Sequence, residues 1–284
     1  MAPGPSLDYS EDLELLRSCA VTAGIMASGY FRRSVKTWSK EDASPVSDAD
    51  YLVDEFLHQN LLDARPNYGW LSEEAEDNPH RLGVKRVFIV DPIDGTRAFL
   101  RGEDCWTICI SVVEDGQPIV GVIYAPARDE LYEATRGGGA FLNGKPIERR
   151  IRLGRGSGPV IPAPGAVHRE LEDTGLDYIR GPSLPSLAYR LVQVATGIVD
   201  VAVARRGAQD WDLAASMLIL SECGISLEDV CLGPPVFNKS ETRHAAIAAV
   251  HDISLKAQVH AALREVYGCP EDARAQKPKE SSKT

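Results

Sequence analysis

The stretch Arg86–Phe99, RVFIVDPIDGTRAF, decides how the chain is read. Its first five residues are a short apolar run that reads as a buried strand. The run gives out into Asp91-Pro92-Ile93-Asp94-Gly95-Thr96, so two carboxylates stand three residues apart at a strand end. Carboxylates in that place project into the crevice where open α/β sheets bind ligands. Pro92 fixes part of the backbone between them, and Gly95 allows a close turn. Arg97–Arg101 then reads as a short helix whose free N–H groups and dipole would cradle a phosphate.

Working outward, three further acidic places stand out. Ser72-Glu73-Glu74 follows the apolar run Tyr68–Leu71. Asp210-Trp211-Asp212 follows a strand and loop at a helix start, and Asp50 closes Ser47-Asp48-Ala49-Asp50, which fits a capping box. Each has a plain reading by itself. Asp50 could be only a cap, Glu73 and Glu74 a solvated pair, Asp212 a first-turn acid and Asp91-Pro92 a turn. Read jointly, they repel one another if they converge, and hard divalent cations with oxygen ligands relieve that repulsion. No histidine or cysteine motif accompanies them, so Mg²⁺ or Mn²⁺ is expected rather than zinc. Such cations beside a phosphate cradle describe phosphoryl chemistry.

The rest of the chain supplies a layered α/β frame. Glu11–Phe31 carries Leu13, Leu16, Ala20, Ala23, Ala27 and Tyr30 at helical steps, and a second helix opens at Ser47 with Leu52, Phe56, Leu57 and Leu61 inward. Trp106–Glu114 and Pro118–Tyr124 read as a hairpin around Asp115-Gly116, extended by Leu131–Ala134 and Gly139–Leu142. The Gly/Arg-rich stretch Arg149–Gly158 reads as a hinge. It divides an N-terminal α+β lobe (1–150), carrying most of the ligands, from a C-terminal α/β lobe (151–269). Helices are expected near Leu187–Thr196, from Trp211 and near Ser254–Val266, with a strand near Ile198–Ala204. A polar tail over 270–284 is expected to be disordered.

Of the 284 residues, 44% are hydrophobic and 25% charged, as in an ordinary globular protein. The net charge of −10 disfavours a nucleic-acid partner. No apolar run is long enough to span a bilayer, and no signal peptide is visible. The six cysteines form no CxxC pair and are expected to be reduced thiols of a cytoplasmic protein.

VDPIDGTRAF (Val90–Phe99), LSEE (Leu71–Glu74), PVSDAD (Pro45–Asp50) and DWDLAAS (Asp210–Ser216) together resemble, in order, the motifs of the inositol monophosphatase superfamily. The resemblance covers about Leu13 to Val266. It implies a five-layer αβαβα sandwich and a Mg²⁺-dependent, lithium-sensitive phosphatase holding two or three ions, often as a homodimer. It also assigns roles. Glu73 would bind one ion and help activate the attacking water. Asp91, Asp94 and the Ile93 carbonyl would serve the metal pair, and Asp212 the second ion. Asp50 and Thr96 would orient the water, with Asp50 near a third, weaker ion. Asp94 and the N–H groups of Gly95 and Thr96 would lie against the substrate phosphate.

Three features bear on the substrate. Ser72 is commoner in the 3'(2'),5'-bisphosphate nucleotidase branch, a basic residue at Arg97 is favoured in the nucleotidase and histidinol-phosphatase branches alike, and Arg205 stands where inositol phosphatases place a hydroxyl-binding glutamate. Ser186 and Arg190, in SLAYR, sit where nucleotidases place substrate contacts. The leading expectation is therefore conversion of adenosine 3',5'-bisphosphate to AMP in sulfur assimilation. Inositol or broad sugar phosphates come second and histidinol phosphate third. A non-catalytic regulator with the same fold is the reading from another class, and the retained acidic positions argue against it.

Overall fold

A computed structural model describes residues 9–33, 35–39, 45–148 and 158–269. Nearly all of the expected hinge and the whole of the expected tail lie outside the described residues. The chain opens with helices α1 (Ser10–Ser28) and α2 (Asp48–Ala64), between which β1 (Thr37–Ser39) and β2 (Pro45–Ser47) pair antiparallel. There follow β3 (Gly69–Ser72), β4 (Arg86–Asp94), α3 (Thr96–Leu100), β5 (Thr107–Glu114), β6 (Gln117–Ala125), β7 (Glu130–Thr135), β8 (Gly139–Leu142) and β9 (Lys145–Pro146). The second half runs β10 (Val160–Ile161), α4 (Gly165–Glu172), β11 (Ile179–Arg180), α5 (Leu187–Ala195), β12 (Val201–Ala204), α6 (Asp210–Glu222), β13 (Leu227–Asp229), β14 (Ile247–Val250) and α7 (Lys256–Tyr267).

Strands β3 to β9 form one sheet in sequence order, with β3 parallel to β4 and every later pair antiparallel. Strands β12, β14 and β13 form a second, antiparallel sheet. The alternation of side chains explains the stacking. Phe88, Val90, Ile108, Ile110, Val112, Val120 and Val122 join Leu16, Ala20, Ala23, Leu57 and Leu61 of α1 and α2 in one core. Their neighbours Val87, Ile89, Cys109, Val113 and Ile123 point the other way, onto Leu191 and Val194 of α5 and Leu213 and Leu220 of α6. That same core takes Ala202, Ala204, Ile247 and Ala249 from the small sheet. Val201, Val203 and Ala248 turn to Val167, Leu171, Val259 and Leu263 of α4 and α7. Both sheets are thus apolar on both faces, and the layers run helix, sheet, helix, sheet, helix.

The face of α2 and the state of the cysteines differ from expectation. The buried face of α2 uses Val53 with Leu57 and Leu61, while Leu52 and Phe56 are only half-buried. Cys231 and Cys269 are joined in a disulfide across 38 residues, so the six thiols are not all reduced; Cys19, Cys105, Cys109 and Cys223 form no disulfide and are buried. Among the described residues no helix is long and apolar enough to cross a membrane.

Candidate active site

The site is built at the end of β4. Asp91 still pairs with Cys109 and Asp94 with Thr107, but the register shifts between them, so Pro92 and Ile93 bulge out of the ladder. The Asp91 carboxylate accepts the N–H of Ile93 at 3.0 Å, which closes the bulge. Gly95 then adopts φ 93°, a left-handed conformation that glycine tolerates, and turns the chain into α3. A side chain there would also meet the Cys105 carbonyl, 3.0 Å from the position of a Cβ.

The bulge puts both β4 carboxylates on one side, where Asp212 joins them from the first turn of α6. One carboxylate oxygen from each of Asp91, Asp94 and Asp212 lies within 4.8 Å of the others. Glu73, just past β3, lines the same cavity of about 370 Å³, with Gly95, Thr96, Arg97, Arg101 and Arg190. Ser183, Leu184, Pro185, Ala163 and Pro164 complete the wall on the C-terminal side.

Each carboxylate is held from behind. Asp94 is capped by the start of α5: Ser186 Oγ and the Ala188 N–H (2.7 Å) donate to one oxygen, and the Leu187 N–H (3.3 Å) to the other. Asp212 Oδ2 accepts the Gln209 N–H at 2.7 Å. Asp50 Oδ2 accepts Ser47 N–H at 2.8 Å and Ser47 Oγ–H at 2.6 Å, leaving Oδ1 3.5 Å from Thr96 Oγ1. The single hydroxyl proton of Thr96 can also reach the Ile93 carbonyl, at 3.1 Å. Asp50 is therefore a cap and a neighbour of Thr96 at once.

The electrostatics are those of a site short of positive charge. Burial, then the charges of Glu73, Asp94 and Asp212, hold the Asp91 carboxyl well above the usual carboxylate range. Asp212 is pushed well up by burial, then by Asp94. Burial also raises Asp94, against the donors on α5 and the nearby Arg190. The same burial lowers the Arg190 guanidinium, which Asp94 partly offsets. Oxygen donors of this kind, crowded and out of water, fit hard divalent cations. The residues that would hold them are Glu73, Asp91, Asp94 and Asp212, with the Ile93 carbonyl, which has a second lone pair beside the one facing Thr96.

The substrate-side expectations need correction. Arg205 does not line the cavity: it leaves the end of β12 and pairs with Glu170 at 2.9 Å, half in solvent. Ser72 is buried and its hydroxyl donates to Asp54, so it is a tie between β3 and α2. Ser186 is fully buried and spoken for by Asp94 and Thr107. Arg190 does reach the cavity wall, with Nη1 donating to the Leu184 carbonyl at 2.7 Å. Arg101, also on the wall, was missed. It stands at the C-terminal end of α3, where nothing in the sequence says which way a side chain turns. Ser186 as a carboxylate holder could have been found, since it is the N-cap before α5.

Residues 8–266 match the family model described as the inositol monophosphatase family. A histidinol-phosphatase of Chlorobaculum parvum is 35% identical over 75% of this chain and 83% of its own length. An inositol-1-monophosphatase of Mesorhizobium japonicum is 35% identical over 77% and 85%. The 3'(2'),5'-bisphosphate nucleotidase CysQ of Aggregatibacter actinomycetemcomitans is 30% identical over 78% and 86%. The crystal structure of the extragenic suppressor protein suhB from Bartonella henselae superposes with a TM-score of 0.78 at 29% identity, covering 90% of this chain and 99% of that one. With its layered fold, its acidic cluster and this match over nearly its whole length, the chain belongs to the inositol monophosphatase family and is a metal-dependent phosphatase.

Proposed function

We infer that the chain hydrolyses a phosphomonoester on a small metabolite that carries a second anionic group, with adenosine 3',5'-bisphosphate as the leading candidate. The observation that carries this is the cavity wall: Arg97 and Arg190 line the same space as the four carboxylates, while Arg101, on the same wall, already forks onto Glu103 at 2.6 and 3.0 Å. Cations serving only the scissile phosphate would be superfluous where bound Mg²⁺ supplies that charge. A second phosphate gives them a partner, through charge-assisted hydrogen bonds. Ser72, tied to Asp54, and Arg205, paired with Glu170, do not line that space.

When bound, Mg²⁺ would supply electrophilic charge to the phosphate and make water more acidic. The chain's own residues do the rest. Glu73 and the Thr96–Asp50 pair would hold a water and accept its proton, and their place beside the acidic cluster supports that reading. The second oxygen of Asp50 is fixed by Ser47, so Oδ1 stays aimed at Thr96. Ser186 and the first N–H groups of α5 keep Asp94 from swinging away.

The test is a panel of adenosine 3',5'-bisphosphate, inositol 1-phosphate and histidinol phosphate assayed for phosphate release with Mg²⁺. The bisphosphate is expected to lead in kcat/KM by about tenfold or more, the worth of one charge-assisted contact. Arg97→Ala should erase most of that lead through KM. A preference for inositol 1-phosphate would reject the assignment. A preference for histidinol phosphate would favour the reading suggested by the Chlorobaculum relative.

A further inference from the structure

Asp212 reaches the cluster from α6, whereas Glu73, Asp91 and Asp94 come from β3 and β4 or just beyond. Ligands of one site must agree within about 0.5 Å. Something therefore has to fix the start of α6 against the end of β3.

Asp210, two residues before Asp212, is 1% exposed and does not line the cavity. Its Oδ1 lies 2.7 Å from His244 Nε2, and its Oδ2 accepts the backbone N–H of Asn238 at 2.7 Å. Asn238 has a left-handed backbone, φ 55°, and its side-chain amide meets Arg81 on both edges. Arg81 Nη1 donates to Asn238 Oδ1 at 2.7 Å, and Asn238 Nδ2 donates to the Arg81 carbonyl at 3.3 Å. Arg81 is also 1% exposed. It donates to the Lys239 carbonyl at 3.0 Å and forks onto Asp77 at 2.6 and 2.8 Å. Asp77 and Arg81 lie on the segment that leads away from Glu73. A continuous chain of bonds thus runs from that segment, through Arg81 and Asn238, to Asp210 at the head of α6. His244 braces the far side, tied to Ala208 by its own N–H at 2.8 Å.

Buried ion pairs are, on balance, no more stabilising than apolar residues of the same shape. What this one supplies is a fixed distance. The geometry points to Arg81, Asn238, Asp210 and His244 as a positioning network that sets Asp212 against Glu73 and so tunes how tightly the site holds a divalent cation. None of the four lines the cavity, and the inference rests on Asp212 being a cation ligand.

The experiment is calorimetric titration of Mg²⁺ into the parent, Asn238→Gly, His244→Ala and His244→Gln, each checked first for folding by circular dichroism. Glycine at 238 keeps the left-handed backbone and removes only the amide. Asn238→Gly and His244→Ala are expected to weaken Mg²⁺ binding by about tenfold or more. His244→Gln retains an N–H that can donate to Asp210 and should recover most of the loss. In turnover the two weakened variants should need correspondingly more Mg²⁺ yet show the parent KM for substrate once it is saturating. Unchanged Mg²⁺ affinity in folded Asn238→Gly, whatever its Tm, overturns the proposal. Equal weakening in His244→Gln and His244→Ala overturns it too. If His244→Ala does not fold, Asn238→Gly carries the test. Failure of the parent to bind Mg²⁺ overturns the Asp212 assignment itself, and the network's role with it.

Discussion

Asp50 and Asp212 show how one carboxylate can do two things. Each is the third residue of its helix and gives one oxygen to the chain entering that helix, Asp50 to Ser47 and Asp212 to Gln209. Each also faces the site: Asp50 Oδ1 lies 3.5 Å from Thr96 Oγ1, and one oxygen of Asp212 belongs to the acidic cluster. Replacing Asp212 by Asn keeps an acceptor for the cap and removes the charge, so the helix should stay while catalysis goes. We expect Asp91→Asn or Asp212→Asn to lower kcat by about 100-fold or more at saturating Mg²⁺, with circular dichroism unchanged. Activity within a few-fold of the parent would contradict the roles given to them. At this scale the acidic positions stood out in the sequence through their joint placement at strand ends and helix starts, and the family resemblance is what assigned them roles. The arginines were legible only in part: Arg97 and Arg190 line the cavity, and Arg205 does not. Counting back from Asp212 leads to Arg205, but the chain between them turns at Gly207, φ 108°, and spacing across a turn does not say where a side chain points. Arg205 points to Glu170.

Elements place these residues through close backbone contacts that only glycine permits. Gly121, in the middle of β6, faces Ala215 of α6, and a Cβ there would lie 3.1 Å from the Ala215 Cα and carbonyl oxygen. The helix that carries Asp212 therefore rides directly on the sheet that carries Asp91 and Asp94. Gly121→Val should lift α6, lower Tm by several degrees and weaken Mg²⁺ binding with it. Gly83→Ala has nothing within 4 Å of the new atom and serves as the control, with Tm expected to match the parent. Equal Tm values for the two variants would show that the contact is not tight. Most elements could be read beforehand from their periodicity, above all α1, α2, β4 to β8 and α6. Strand β14, Ile247–Val250, could not. Its alanines carry no strand signal, because small side chains are what fit between two helical layers. Strands β10 and β11 have two residues each, too few for any period.

At the scale of the whole molecule, the layered fold was legible from motif order and the disulfide between Cys231 and Cys269 was not. Nothing in their spacing announced a pair brought together by β13 and α7. The fold gathers negative charge into a buried place, and that sets how stability responds to pH. The raised carboxyls of Asp91, Asp94 and Asp212 bind protons more tightly in the folded protein than in the unfolded chain. Without a cation they therefore cost nothing below the unfolded carboxylate pKa of about 4. They destabilise increasingly as pH rises through their folded values. A divalent cation removes that cost by replacing the protons. The most direct measurement is the Tm of cation-free protein across this range with and without Mg²⁺, in the parent and in Asp91→Asn. The account predicts a Mg²⁺-induced rise in Tm that grows with pH in the parent and shrinks sharply in the variant. A parent whose Tm is the same with and without Mg²⁺ at neutral pH would contradict it.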